Sequence, residues 1–382
     1  MMQVGRFVTL TIFISLLAWL SGEAKEIIHL MRSPYALLMG DAFTARADDE
    51  YTLFYNPAAL GRNAGLRLSP INPQVGVVSA LDDMNRFKKF PSSDASKIGE
   101  RLMGFPVYFN AAASPGMKFG PVGMVMFASS STSVVLRNNV HPMMDIDYRL
   151  DRGFIIGFSH SIGSGGISTS GKKTSPGKRL SIGIALKSIN RQGLDSSYDL
   201  FGTELSNTIL LADGGDFTAL RNALGYSKGK AWGGDFGLEW IYSTQYSELS
   251  WGLSVLDIAD TRFRKISGTQ DIPRQDMYIN TGITWRQDFM LLDYSISMDL
   301  HPLNVAMPWQ RKFHLGFDIG IPLIRLMAGM SEGYISYGAT VSLWPFKLTA
   351  GFYGVELGRD YKQEKGSRAF IYLSLLDFAF ET

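Results

Sequence analysis

The side chains able to do acid–base or metal chemistry are few and dispersed in this 382-residue chain. Its five histidines are His29, His141, His160, His301 and His314, and none has the spacing of a metal-binding motif. There is no cysteine, which removes thiolate ligands, thiol nucleophiles and disulfides together. His160 stands between Ser159 and Ser161, but alternation along a strand sets it on the opposite face from both. No G-x-S-x-G elbow, P-loop or dinucleotide fingerprint falls in a strand–helix context. The expectation is a protein that is not an enzyme, without catalytic residues, metal or cofactor. One concentration of charge remains, Asp48-Asp49-Glu50, running into Tyr51, Phe54 and then Asn56-Pro57-Ala58. Clustered carboxylates can bind calcium, but the spaced ligands of a calcium loop are missing.

What must position this stretch is a short helical turn. Asn56 suits an N-cap, Pro57 the first helical position, and Gly61 an end one turn later. From the residues alone, Asp48 to Glu50 also read as a solvated turn, and Asn56 to Ala58 as a plain helix start. Two further helices are expected between Leu81 and Gly104, where "SSDASKIGERLM" opens on capping residues. A stretch from Asp216 to Tyr226 is helix-compatible inside a long connection, and Ser161 to Lys178 reads as a flexible Gly/Ser-rich loop.

The chain begins with Arg6 and a 14-residue apolar run, Phe7 to Leu20, followed by Gly22 and Ala24. This is the pattern of a cleaved export signal over residues 1–24, since 14 helical residues span only about 21 Å of a ~30 Å hydrocarbon core. The net charge of +2 suggests no polyanion-binding stripe, so no nucleic-acid partner is expected.

Most of the remaining sequence alternates with period two. In "LDYSISMDL", Leu292, Tyr294, Ile296, Met298 and Leu300 share one face, and Asp293, Ser295, Ser297 and Asp299 the other. "FHLGFDIGI" from Phe313 repeats the arrangement. The polar face is made of Gly, Ser, Asp and Asn, small enough to line a closed barrel; the other carries large apolar residues, with aromatics near strand ends. With the export signal, this predicts an all-β fold, a transmembrane antiparallel barrel in the outer membrane of a Gram-negative-type bacterium, in contact with its lipids. About fourteen strands are expected, beginning near Val107, Val122, Met143, Phe154, Arg179, Ala231, Glu248, Met277, Leu291, Phe313, Ile324, Tyr334, Phe346 and Arg368. Residues 25–105 are then an N-terminal subdomain and 106–382 the barrel. In the last strand, Phe370, Tyr372, Leu376, Phe378 and Phe380 are placed on one face.

The stretch "MGDAFTARADDEYTLFYNPAAL" (Met39 to Leu60) resembles the N-terminal signature of the FadL-type outer-membrane transport superfamily. "LMGFPVYFNAAASPGMKFG" and "RLMAGMSEGYISYGATVSLWPFKLTAGFYGVELG" look like its PorV-type branch. The resemblance implies a fourteen-stranded barrel whose N-terminal segment folds into the lumen as a hatch. It sets Asn56, Pro57 and Ala58 on the hatch motif, with Asp48, Asp49 and Phe54 beside it. It also implies uptake of hydrophobic, fatty-acid-like molecules through a hatch-gated lumen, with apolar ligands leaving sideways through a gap in the wall. The alternative it implies is a PorV-like scaffold that holds a secreted or envelope protein partner at the cell surface.

Overall fold

The computed structural model describes residues 26–62, 65–79, 103–137, 143–167, 174–199, 224–268, 270–289 and 291–380. The expected signal peptide, most of the helices expected at 81–104 and most of the helix-compatible stretch at 216–226 lie outside these residues. Where alternation runs uninterrupted it becomes strand: β3 (Val122–Arg137), β4 (Met143–Gly163), β5 (Gly177–Asp199), β6 (Ser227–Ser243) and β7 (Ser247–Leu256) form one side. β8 (Tyr278–Phe289), β9 (Leu292–Leu300), β10 (Phe313–Ile321), β11 (Ile324–Ser331), β12 (Tyr334–Leu343) and β13 (Phe346–Glu356) continue it.

Three wall strands are broken in two. They are β1 (Leu66–Ser69 and Pro73–Val78), β2 (Val107–Ala113 and Gly116–Phe119) and β14 (Lys365–Leu375 and Phe378–Phe380). Each strand pairs antiparallel with its sequence neighbours, and β14 returns to β1, so 14 strands close a barrel. Closure leaves the wall without the unpaired edge that a membrane core does not tolerate.

The wall begins at Leu66, not at Val107, so part of the stretch assigned to the N-terminal subdomain is barrel. Pro70, Asn72 and Pro73 hide this strand by breaking its alternation. The starts expected at Met143 and Phe154 belong to one strand, β4. The Asp151-Arg152-Gly153 triplet between them looks like a turn, yet Asp151 points inward and receives Arg191 Nε and Nη2, both at 2.7 Å. One strand missed and one counted twice leave the expected number unchanged.

Burial is inside out. In β9 and β10, Ile296, Met298, Leu315 and Phe317 are exposed while Ser295, Ser297, Asp299, His314 and Asp318 are buried. An apolar outer face over a polar interior is the arrangement of an outer-membrane barrel. Phe119, Tyr242, Tyr246, Phe289, Trp344 and Phe346 stand outward at or beside the short-turn rim, where amphipathic rings meet lipid head groups. "GIPLI" and "LWPFK" make two of the tight turns at that rim, as expected. The Gly/Ser-rich 161–178 connection lies at the same rim, and its described parts are the ends of β4 and β5 and a short ladder, Gly166–Ile167 with Thr174–Ser175.

The last strand departs from the expected aromatic face. Phe370 and Tyr372 are buried and point inward, while Leu376 is exposed. Leu376 adopts φ +61 at the break in β14, and this irregularity resets the alternation before Phe378. The breaks in β1, β2 and β14 lie side by side, where Ile71 bridges Leu375 and the Asn72 amide exchanges two 2.8 Å hydrogen bonds with the Ser114 backbone.

Candidate functional site

Residues 26–62 enter the barrel and fold there as short turns that satisfy their own backbone. Helix α1 (Pro34–Leu38) is capped by Ser33, whose Oγ accepts from Tyr35 N and Ala36 N, and Pro34 occupies its first turn. Helix α2 (Thr52–Tyr55) ends at Asn56. Asn56 Oδ1 then accepts from Ala58 N at 3.1 Å and starts the 3₁₀ turn Pro57–Arg62, so the capping role expected of Asn56 and Pro57 is present. Gly61 does not end that turn. It lies inside it, where a Cβ would stand 2.1 Å from Ser161 Oγ.

The wall makes room for this segment with glycines. A Cβ on Gly183 of β5 would stand 2.3 Å from Ala58 N, and one on Gly237 of β6 2.1 Å from Asn56 Oδ1. A Cβ on Gly252 of β7 would stand 2.7 Å from Thr44 O, and one on Gly329 of β11 2.2 Å from Gly40 N. These positions lie at similar height above the short-turn rim and form a collar on which the segment's backbone rests. Apolar side chains fill the space between: Leu37, Leu38, Met39, Phe43, Leu53, Phe54 and Leu60 join wall residues Phe127, Met327 and Phe370 in one buried cluster.

Inward-pointing polar residues of the wall act as receptors for the segment's backbone and charges. Asp299 Oδ2 accepts from Phe43 N at 2.9 Å and Thr44 N at 2.7 Å. Ser336 Oγ accepts from Gly40 N and donates to Leu38 O, while Ser250 and Ser159 donate to Ala45 O and Ala58 O. Arg62 reaches Glu239 at 2.8 Å and Glu248 at 3.1 Å, all three buried. Glu26 pairs with Arg368 at 2.5 Å. None of these receptors was singled out from sequence. The available signal was an ionisable residue on the lumen face of a membrane strand, and Glu239, Asp299 and His314 all carry it.

Six residues were picked out in advance, and the structure divides them. Asn56, Pro57 and Ala58 pack together against β5 and β6, with Asn56 Nδ2 donating to Thr44 O and Leu238 O at 3.2 Å. Phe54 turns toward β3 and meets the Phe127 ring edge-on at 5.7 Å. Asp48 and Asp49 lie apart from these, at the short-turn mouth of the barrel.

There Asp48 binds Arg46 and lies 3.6 Å from Arg286. Burial works against its charge, but the guanidinium groups of Arg46, Arg286 and Arg62 hold it well below the ordinary carboxylate range. Asp49 accepts from Ser33 Oγ and from Tyr51 N. Burial and the adjacent Glu50 push Asp49 up to about 7. Glu50 receives the Tyr372 hydroxyl, and Lys347 and Arg67 hold it low against burial. The triplet is therefore a paired, mostly enclosed group and not a solvated turn.

The histidines scattered in sequence gather in space, three of the five at the segment's other end. His301 and His314 stack at 3.7 Å, and His29 stands 6.2 Å from His301 and 3.5 Å from Asp41 Oδ2. Their nitrogens serve backbone: His301 Nε2 lies 3.1 Å from Asp41 O, and His314 Nδ1 lies 2.9 Å from Gly40 O. No set of three His, Cys, Asp or Glu side chains among the described residues is placed to hold a metal ion. Burial, followed by the charge of Arg32, lowers His29 to about 3, and burial also lowers His301. His160 faces outward, while Ser159 donates inward to Ala58 O.

Above the seated segment, at the long-loop end, the lumen opens into a cavity of about 780 Å³. Its lining mixes Ile27, Ile146, Met277 and Leu357 with Arg149, Asp147 and other charged groups.

No protein-family model matches the chain, and no curated protein does. Among solved structures it is similar to the TodX monoaromatic hydrocarbon channel in a deltaS2 mutant (11% identity, TM-score 0.45, 92% of this chain and 99% of that one). It is also similar to the Pseudomonas putida toluene transporter TodX (13% identity, TM-score 0.42, 93% and 99%). A third is the Ralstonia pickettii toluene transporter TbuX (10% identity, TM-score 0.43, 91% and 98%).

Proposed function

We propose that this barrel passes hydrophobic small molecules with a polar end, fatty-acid-like in character, from the cell exterior inward past a hatch formed by residues 26–62. The observation that carries this reading is the seating of that segment. It fills the short-turn half of the lumen, is joined to the wall strands by hydrogen bonds and ion pairs, and leaves a cavity above itself. A segment that merely stabilised the barrel would need no open chamber behind it. The chamber's mixture of aliphatic and charged lining suits an amphiphile better than a bare hydrocarbon. Asn56, Pro57, Ala58 and Phe54 are the hatch residues in contact with the wall, and Asp48 and Asp49 sit at its exit end.

The adjacent breaks in β1, β2 and β14 offer a sideways route, since bonds from the Asn72 side chain to the Ser114 backbone replace part of the ladder there. The motif resemblance of Met39 to Leu60 points the same way. Cells lacking the protein should take up labelled fatty acid more slowly than the parent. Equal uptake across a panel of fatty acids, alkanes and toluene would overturn the reading. A stable protein partner in gentle detergent extracts would turn it toward the scaffolding alternative.

A further inference from the structure

The short-turn mouth holds a second, smaller cavity of about 270 Å³, walled by the acidic triplet on one side and by Arg46, Arg67, Arg286 and Lys347 on the other. Its other two arginines are saturated elsewhere: Arg62 by Glu239 and Glu248, and Arg325 by Asp293 at 2.6 Å and by Asp318. The four remaining cations are not. Arg46 and Arg286 share the single carboxylate of Asp48. Among the described residues Arg67 and Lys347 form no ion pair, Arg67 donating only to the Asp48 carbonyl. Arg46 is 3% exposed, and its Nε, like Arg286 Nε, is buried without an acceptor.

Two buried guanidinium N–H groups left open beside one cavity are costly unless an acceptor fills it, because a buried donor without a partner loses its hydration uncompensated, the more so when charged. The acidic triplet does not supply that acceptor. Its oxygens are occupied in part by Ser33, Tyr51 and Tyr372, burial beside Glu50 favours a proton on Asp49, and Glu50 Oε2, buried and without a hydrogen-bond partner, feels Lys347 and Arg67 only at longer range. The walls thus carry an excess of positive charge with free donors. The volume is that of about nine water molecules at roughly 30 Å³ each, room for an oxyanion together with several waters.

We propose that this cavity is an oxyanion-binding site, taking a carboxylate or phosphate group between Arg46, Arg67, Arg286 and Lys347. Fork-shaped guanidinium groups with open Nε positions match such an anion two donors at a time. The anion links hatch to wall, since Arg46 belongs to the first and Arg286 and Lys347 to the second. The site does not depend on the transport reading, because its donors remain unmet whether or not the hatch moves.

The full chain in a neutral detergent should be titrated calorimetrically with inorganic phosphate and, separately, with octanoate. In parallel, nanodiscs of phosphatidylglycerol and of phosphatidylcholine should be compared for lipid retained on the barrel. Binding of either soluble probe identifies a free anion; preferential retention of phosphatidylglycerol alone identifies a lipid head group. In each case Arg286→Gln with Lys347→Gln should weaken binding at least tenfold, and Lys347→Arg should preserve it. If the double variant does not fold, Lys347→Gln alone, at a partly exposed side chain, should still weaken binding severalfold. No binding of any probe, or binding unchanged in the variants, overturns the site.

Discussion

The two halves of the lumen are built on opposite plans. Near the short-turn rim the wall presents glycine and serine, and the hatch backbone rests directly on them. Toward the long loops the wall presents Arg149, Asp147, Asp145 and Asp195, and the space between them is open. The difference teaches where sequence information about a plug is written. It lies less in the plug's own motif than in the missing side chains of the strands around it. Large residues on a barrel's inner face fill it; small ones invite something else to.

The comparison can be broken most severely at Arg62. Arg62→Ala removes the buried guanidinium that bridges Glu239 and Glu248 and leaves Arg179, 4.0 Å from Glu239, to offset part of a loss of up to about 3–5 kcal/mol. The thermal midpoint in micelles should fall well below that of the parent, and trypsin should reach the hatch in the folded barrel. Next comes Gly183→Leu, whose side chain would be driven into the Pro57 and Ala58 backbone. Overpacking against backbone costs about 1–3 kcal/mol or more, so the hatch should lose protease protection while the strands keep their circular-dichroism signal. A midpoint and protection equal to the parent's would deny that the collar seats anything.

Acid should act more mildly, through the histidines. His29 is held neutral in the seated state with its pKa near 3, and His301 is lowered too, while both titrate near 6.5 once released. The released state therefore binds more protons below pH 6.5, and seating weakens as pH falls through that value. The slope is at most about 1.4 kcal/mol per pH unit for each histidine. Asp49 has the opposite sign: raised to about 7, it favours the seated state when protonated, and that share fades as pH rises toward 7. Hatch protection should decline from pH 6.5 to 5 in the parent and decline less in His29→Gln. The smallest effect belongs to the open half. Asp145→Asn breaks a half-exposed pair with Arg137 and should shift the midpoint by under about 1 kcal/mol, with hatch protection unchanged.

The barrel was legible in sequence because its strands see lipid on one side and polar lumen on the other, so "LDYSISMDL" carries its orientation in every residue. The reading failed where a strand is broken or carries an inward-facing ion pair: Pro70 to Pro73 hid β1, and Asp151 made the middle of β4 look like a turn. The Asn56 cap was readable because it is local. The wall carboxylates that receive Thr44 N and Arg62 were not, since Asp299 and Glu239 lie on strands about two hundred residues away, and nothing local marks a carboxylate as facing another segment. The histidine cluster was invisible for the same reason.

The wall is also uneven in height. β4 and β5 run 21 and 23 residues, while β10 and β11 run 9 and 8. At about 3.3 Å per residue, the first pair is roughly 70–75 Å long and the second under about 30 Å, barely what a tilted crossing of the ~25 Å apolar band requires. The outer rim is therefore a slope. A molecule dissolved in the outer leaflet meets a parapet on one flank and a low sill on the other.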